Sequence, residues 1–241
     1  MKKVLSFLML AGTICATPSY TGLTGGIDFP NAYILIDRNY TISGIAGTLD
    51  GEIQGDFVIE TNLLPQVEAG IKLSTVKKDF DNSFLQSNFK FQVVGETISN
   101  PAVAIGFTEF DEYHIQADLD SEKNEDDLKK YNSDAYGFIV ASKRLKMGNQ
   151  VFNGTLGAML SKPEGGSQVD MFGSMEVPLG TAIKLTTELY SFKESKAKQI
   201  SGNIGFDFLT NEKFRTQVFW RERNNSFGVS INYIGILNNK K

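Results

Sequence analysis

The single histidine of the chain, His114, stands among acids: Asp111, Glu112, Asp118 and Asp120. Imidazole titrates near neutral pH and a carboxylate can orient it, so this grouping could in principle move protons. A hydrolase of the nucleophilic kind also needs a serine or cysteine within reach. After His114 no serine occurs until Ser121, which belongs to a polar stretch, and the only cysteine is Cys15 near the start. No catalytic residue is expected, and His114 reads as a solvated side chain at a rim.

Two other stretches resemble ligand sites and fail in detail. The acids of Asp118-Leu-Asp-Ser-Glu-Lys-Asn-Glu-Asp-Asp127 recur as in a calcium loop. With Asp118 as first ligand, however, Lys123 takes the place of the turn glycine and Lys129 that of the final bidentate glutamate. The glycine-rich run from Thr21 to Tyr33 lacks the spacing of a phosphate loop, with no strand before it and no helix after it. It is expected to enter a barrel or plug its mouth. Neither a metal nor a cofactor is expected.

The elements around these stretches say more. Lys2 and Lys3, an apolar run from Val4 to Ile14 and a small-residue site ending at Ala16 have the three parts of an export signal, giving residues 1–16 as signal peptide. The apolar run is shorter than the roughly 20 residues a membrane-spanning helix needs. The net charge of −4 becomes more negative once Lys2 and Lys3 leave, which argues against nucleic acid as a partner. No cysteine remains after Cys15, so an exported protein of this sequence has no disulfide framework and depends on strand pairing or a membrane.

From residue 39 to residue 236, apolar and polar residues alternate with a period of two. In 181–191, Ile183, Leu185, Thr187 and Leu189 share one face, while Ala182, Lys184, Thr186, Glu188 and Tyr190 share the other. About twelve strands are predicted: 39–48, 53–61, 66–75, 86–96, 102–110, 134–143, 151–161, 168–176, 181–191, 200–208, 213–222 and 227–236. The fold class is all-β, an antiparallel up-and-down transmembrane β-barrel following a signal peptide. The domain reading is 1–16 signal peptide, 17–38 glycine-rich segment and 39–241 barrel. Connections after even-numbered strands are short, and those after odd ones include 76–85, 111–133, 162–167 and 192–199, with only 49–52 and 223–226 among the odd ones as short as the even. Short periplasmic turns and longer outer loops would put both termini in the periplasm.

Taking the Ile183 face as outward, Phe107, Tyr136, Trp220 and Phe227 fall outward at one end of the strands. Tyr40, Phe152, Phe208, Phe214 and Tyr233 do so at the other. Two aromatic belts suit a lipid-facing surface. The inward face then carries Lys72, Lys90, Lys143, Lys184, Arg215 and Arg221 against Asp56, Glu60, Glu68, Asp170, Glu176, Glu188 and Asp207. Charges of both signs in a narrow interior are costly unless paired, so a salt-bridged network bracing the barrel is expected; a selective pore would show an excess of one sign.

The segment with Gly22-Leu-Thr-Gly25 and Phe29-Pro-Asn-Ala32, the turn and strand Leu63 to Leu73, and the stretches Asn88 to Glu96 and Pro101 to Phe107 resemble YjbH-like outer-membrane β-barrels over residues 21–110. The resemblance implies a barrel fold and an envelope or exopolysaccharide-export accessory role, with polysaccharide or envelope proteins as partners, and no catalytic residues. The leading expectation is therefore a non-enzymatic outer-membrane barrel that meets outer-membrane lipid and the outer-membrane assembly machinery. A narrow diffusion channel or lipid-binding barrel is the first alternative. A soluble secreted or periplasmic barrel that binds an apolar ligand is the second.

Overall fold

The computed structural model describes residues 19, 23–35, 39–49, 52–76, 82–116, 136–148, 150–161, 168–194, 197–211, 213–223 and 225–236. The signal-peptide reading, Cys15 and the acidic run from Asp118 lie outside them. Twelve strands follow one another: β1 (Asn39–Leu49), β2 (Glu52–Leu64), β3 (Val67–Val76), β4 (Asn82–Val94), β5 (Ala102–Gln116), β6 (Tyr136–Met147), β7 (Gln150–Ser161), β8 (Gln168–Pro178), β9 (Ile183–Glu194), β10 (Ala197–Leu209), β11 (Phe214–Arg221) and β12 (Ser226–Ile236). Each pairs antiparallel with its sequence neighbours, and β1 closes on β12, with Asn39 opposite Ile236. Closure leaves no strand edge unpaired, which a barrel in lipid requires.

Period two sorts the two faces. Ile53, Leu156 and Ile200 are 73%, 72% and 77% exposed on the outside, whereas the inward charges are buried. At the rim shared by both barrel ends, the Tyr40 and Tyr233 rings lie 6.2 Å apart and Phe214 and Tyr233 5.1 Å apart, an outward aromatic cluster.

Three sequence expectations need correction. Strands extend into residues read as loops: β5 runs to Gln116, β9 to Glu194, and β10 starts at Ala197. The connection at 195–196 is then as short as those on the opposite rim, so loop length alternates less than expected. His114 consequently lies on β5, opposite Phe84 of β4, and not in a loop. The third error is the phase of β6. Phe138, Val140 and Ser142 are buried inward while Ile139 is exposed, so Tyr136 packs with the interior and Lys143 belongs to the outer phase. Phe138-Ile-Val140 is apolar throughout, and alternation cannot set the phase of such a run.

Candidate functional site

The lumen has two unlike walls. On β5 to β8 the inward residues Ala102, Ala104, Phe138, Val140, Met159 and Phe172 form one buried apolar cluster. Phe138, Phe172 and Phe219 lie across directly paired glycines, Gly106, Gly157 and Gly228, whose missing side chains leave room for the rings. The remaining strands present polar groups, as in the continuous register row Arg215, Asn232, Ser43, Val58 and Lys72.

What occupies the lumen is the chain's own N-terminal segment. Leu23, Ile27, Ala32 and Leu35 are fully or almost fully buried, and Leu23, Ala32 and Tyr33 belong to the apolar β5–β8 cluster. Gly25 and Pro30 form a bridge that closes a hairpin turn. The turn admits no side chain at Gly25, since a Cβ there would meet the carbonyl oxygen of Phe29 and lie 2.8 Å from Cα of Pro30. Ile27 at the tip reaches the opposite wall and packs with Ile45, Val58 and Phe219.

Two buried glutamates seat this segment by its main chain. Glu68 accepts N–H groups from Thr24 at 2.8 Å and Leu35 at 3.0 Å, and pairs with Lys90 at 2.9 Å, both side chains being fully buried. The Lys90 ammonium also donates to the carbonyl and hydroxyl oxygens of Thr24. Higher in the barrel, Glu188 accepts from the N–H groups of Ile27 at 2.7 Å and Asp28 at 3.0 Å, with Phe29 at 3.4 Å. Asn203 Nδ2 donates to both Glu188 and Asp28, and Arg221 approaches Asp28 at 3.8 Å. Consecutive amide N–H groups converging on one anion form a backbone nest, filled here by a carboxylate of the barrel wall.

The segment leaves by the rim where the barrel's own ends meet. Ser142 Oγ accepts from the N–H of Ala32, and Gln92 Nε2 donates to the Ala32 carbonyl. At the mouth the Tyr33 hydroxyl donates to Glu96, and the Arg144 guanidinium lies 4.7 Å over the Tyr33 ring while pairing with Glu96 at 3.2 Å. Lys143 stands outside and clasps the 95–101 turn, donating to the carbonyls of Thr97, Ile98 and Asn100.

Of the lumen charges named from sequence, the structure joins Glu68 with Lys90, and Lys184 with both Glu176 and Asp207 at 2.9 Å each. Arg221 and Glu188 meet the hairpin, and Lys72 and Arg215 lie buried on the polar wall. Sequence reasoning missed Ser142, Gln92, Asn203, Phe172 and Tyr190 as parts of the seat. The aromatic residues were the available signal, because Phe172 and Tyr190 fall in the inward phase, where a water-filled lumen would carry polar side chains.

Comparison with known proteins gives the architecture. The KdgM porin superposes with a TM-score of 0.56 at 10% identity, covering 80% of this chain and 98% of the porin. The fold resembles that of outer-membrane porins. A KdgM porin in complex with disordered oligogalacturonate matches to the same degree, and Omp33 of Acinetobacter baumannii matches with a TM-score of 0.52 at 5% identity, covering 84% of this chain and 99% of its own. No protein-family model matches the sequence, and no curated protein does so at a significant level, so these comparisons assign no membership among YjbH-like barrels.

Proposed function

We propose that this protein is a non-enzymatic outer-membrane β-barrel of porin type whose passage is closed at rest by its own residues 23–35. The observation that supports this reading best is the inside-out distribution of residues. Large apolar side chains stand exposed all round the outer face, far beyond the few hundred Å² a soluble monomer tolerates, while Glu60, Glu68, Lys72, Lys90, Lys184 and Glu188 are buried inside. A soluble barrel that binds an apolar ligand would carry the reverse arrangement. Outer-membrane lipid and the outer-membrane assembly machinery follow as partners, and the rim shared by the barrel ends is assigned to the periplasm.

The seat holds the segment chiefly by its main chain. Its contacts are mainly carboxylate and amide groups on the segment's main chain, with apolar packing on the β5–β8 wall. The polar wall beside it is lined by groups that suit a hydrated passage once the segment moves, including the Gln217 amide and Asn232 carbonyl, buried without partners among the described residues. The likeness of residues 21–110 to YjbH-like barrels supports a narrower second reading, an exopolysaccharide-export accessory role. Membrane fractions tested by carbonate and urea washing, with heat-modifiable mobility in gels, check the class: retention supports it, and release into the soluble fraction overturns it.

A further inference from the structure

The tip of the hairpin rests on side chains whose chemistry is wider than the contacts they make with it. Phe29 lies flat on Phe172, the ring centroids 4.6 Å apart at an interplanar angle of 14°, and tilts against Tyr190 at 5.0 Å. Beside this aromatic platform stand the Glu188 carboxylate, the Asn203 amide and the Arg221 guanidinium. The two carboxylate seats differ in one respect. Glu68 has the barrel's own Lys90 at 2.9 Å, whereas among the described residues no lysine or arginine pairs with Glu188. The donors to Glu188 are neutral: main-chain N–H groups of the tip and the amide of Asn203.

Apart from the charge of Asp28, each contact of the tip has a counterpart on a neutral sugar ring. The C–H face of a pyranose covers an aromatic surface as the Phe29 ring does, and hydroxyl groups donate to a carboxylate as the amides of Ile27 and Asp28 do. Hydroxyl oxygens also accept from an amide or guanidinium, the part that Asp28 plays toward Asn203 and Arg221. Asp28 sets a second carboxylate beside Glu188 through their shared donor Asn203, so a neutral ring that replaces the tip relieves this like-charge contact, whereas a uronate would keep it and is disfavoured.

We propose that the seat formed by Phe172, Tyr190, Glu188 and Asn203 is a binding site for a neutral saccharide unit, with which the hairpin tip competes. The site lies on the passage described above and rests on that reading, since the ligand reaches it through the lumen. Saccharide binding and opening are thereby one equilibrium. The tip holds most molecules closed, and apparent affinity is reduced by the fraction closed.

The test uses the full-length protein with maltohexaose as the neutral probe and oligogalacturonate as the acidic one. Saturating maltohexaose should raise deuterium uptake at the amides of residues 27–29. Gly25→Ala, which breaks the turn, should bind maltohexaose at least tenfold more tightly than the unaltered protein; Phe29→Ala, which vacates the platform and leaves the turn intact, should act in the same direction. Adding Phe172→Ala or Tyr190→Ala to either variant should cost at least tenfold, and oligogalacturonate should not compete. Heat-modifiable mobility verifies that each variant is folded. Failure of both tip variants to bind maltohexaose, binding indifferent to Phe172→Ala, or equal binding of oligogalacturonate overturns the proposal. Conductance of the same tip variants separates the two readings: current without saccharide binding removes the site and leaves the passage, and binding without current does the opposite.

Discussion

Replacing Lys184 by alanine tests whether the inward charges brace the barrel. Its ammonium lies 2.9 Å from Glu176 on β8 and 2.9 Å from Asp207 on β10, so one side chain ties three neighbouring strands. All three side chains are buried, the lysine 7% exposed and the acids 2% and 5%. After its removal the side-chain donors left to these acids among the described residues are Asn153, 3.3 Å from Glu176, and Thr186, 3.4 Å from Asp207, both long contacts. Breaking a buried ion pair on one side costs about 3–5 kcal/mol, most of it the penalty of a stranded charge. Lys184→Ala should therefore lower the free energy of unfolding by about that amount in urea titrations of vesicle-embedded protein. The triple variant Lys184→Ala, Glu176→Gln, Asp207→Asn should recover most of the loss, since no charge is then stranded. A loss below about 1 kcal/mol, as for solvated ions, would refute the bracing argument.

The remaining predictions concern faces and orientation. Ile204→Lys places a charge on the outer face and should cost about 2–4 kcal/mol near the bilayer midplane, whereas Asn203→Lys, between Glu188 and Asp28, should be much milder; equal sensitivity in vesicle refolding contradicts the assignment of faces. Lys143→Ala should cost only about 0.5–1 kcal/mol in the same titration, because its clasp on the 95–101 turn is partly exposed. An epitope inserted between Lys123 and Asn124 should be detected on intact cells, and detection only after permeabilisation reverses the orientation.

The twelve strands and their order were legible because period two survives in most of them: in β9, β10 and β12 inward polar residues alternate with outward apolar ones. It failed at β6, where the lumen wall is apolar because the N-terminal segment covers it, so both faces of Phe138-Ile-Val140 read alike. The charge list was readable for the same reason as the strands, with Lys143 lost through the β6 phase error. Its pairing was not readable: Lys184 meets Glu176 and Asp207 through register, which depends on where β8 and β10 begin. The seat of the hairpin was hidden further, since Glu188 and Glu68 bind main-chain amides that every residue possesses and no motif announces. Gly25 was the visible trace, in a turn that only glycine fits.

Single-channel recording in planar bilayers, comparing the unaltered protein with Gly25→Ala, tests most directly the claim that residues 23–35 close a porin-type barrel. The unaltered protein should stay near silent, and Gly25→Ala should give stepwise current, because the altered residue collides with the Phe29 carbonyl and unseats the tip from Glu188. Steady current through the unaltered protein that Gly25→Ala leaves unchanged would contradict the account.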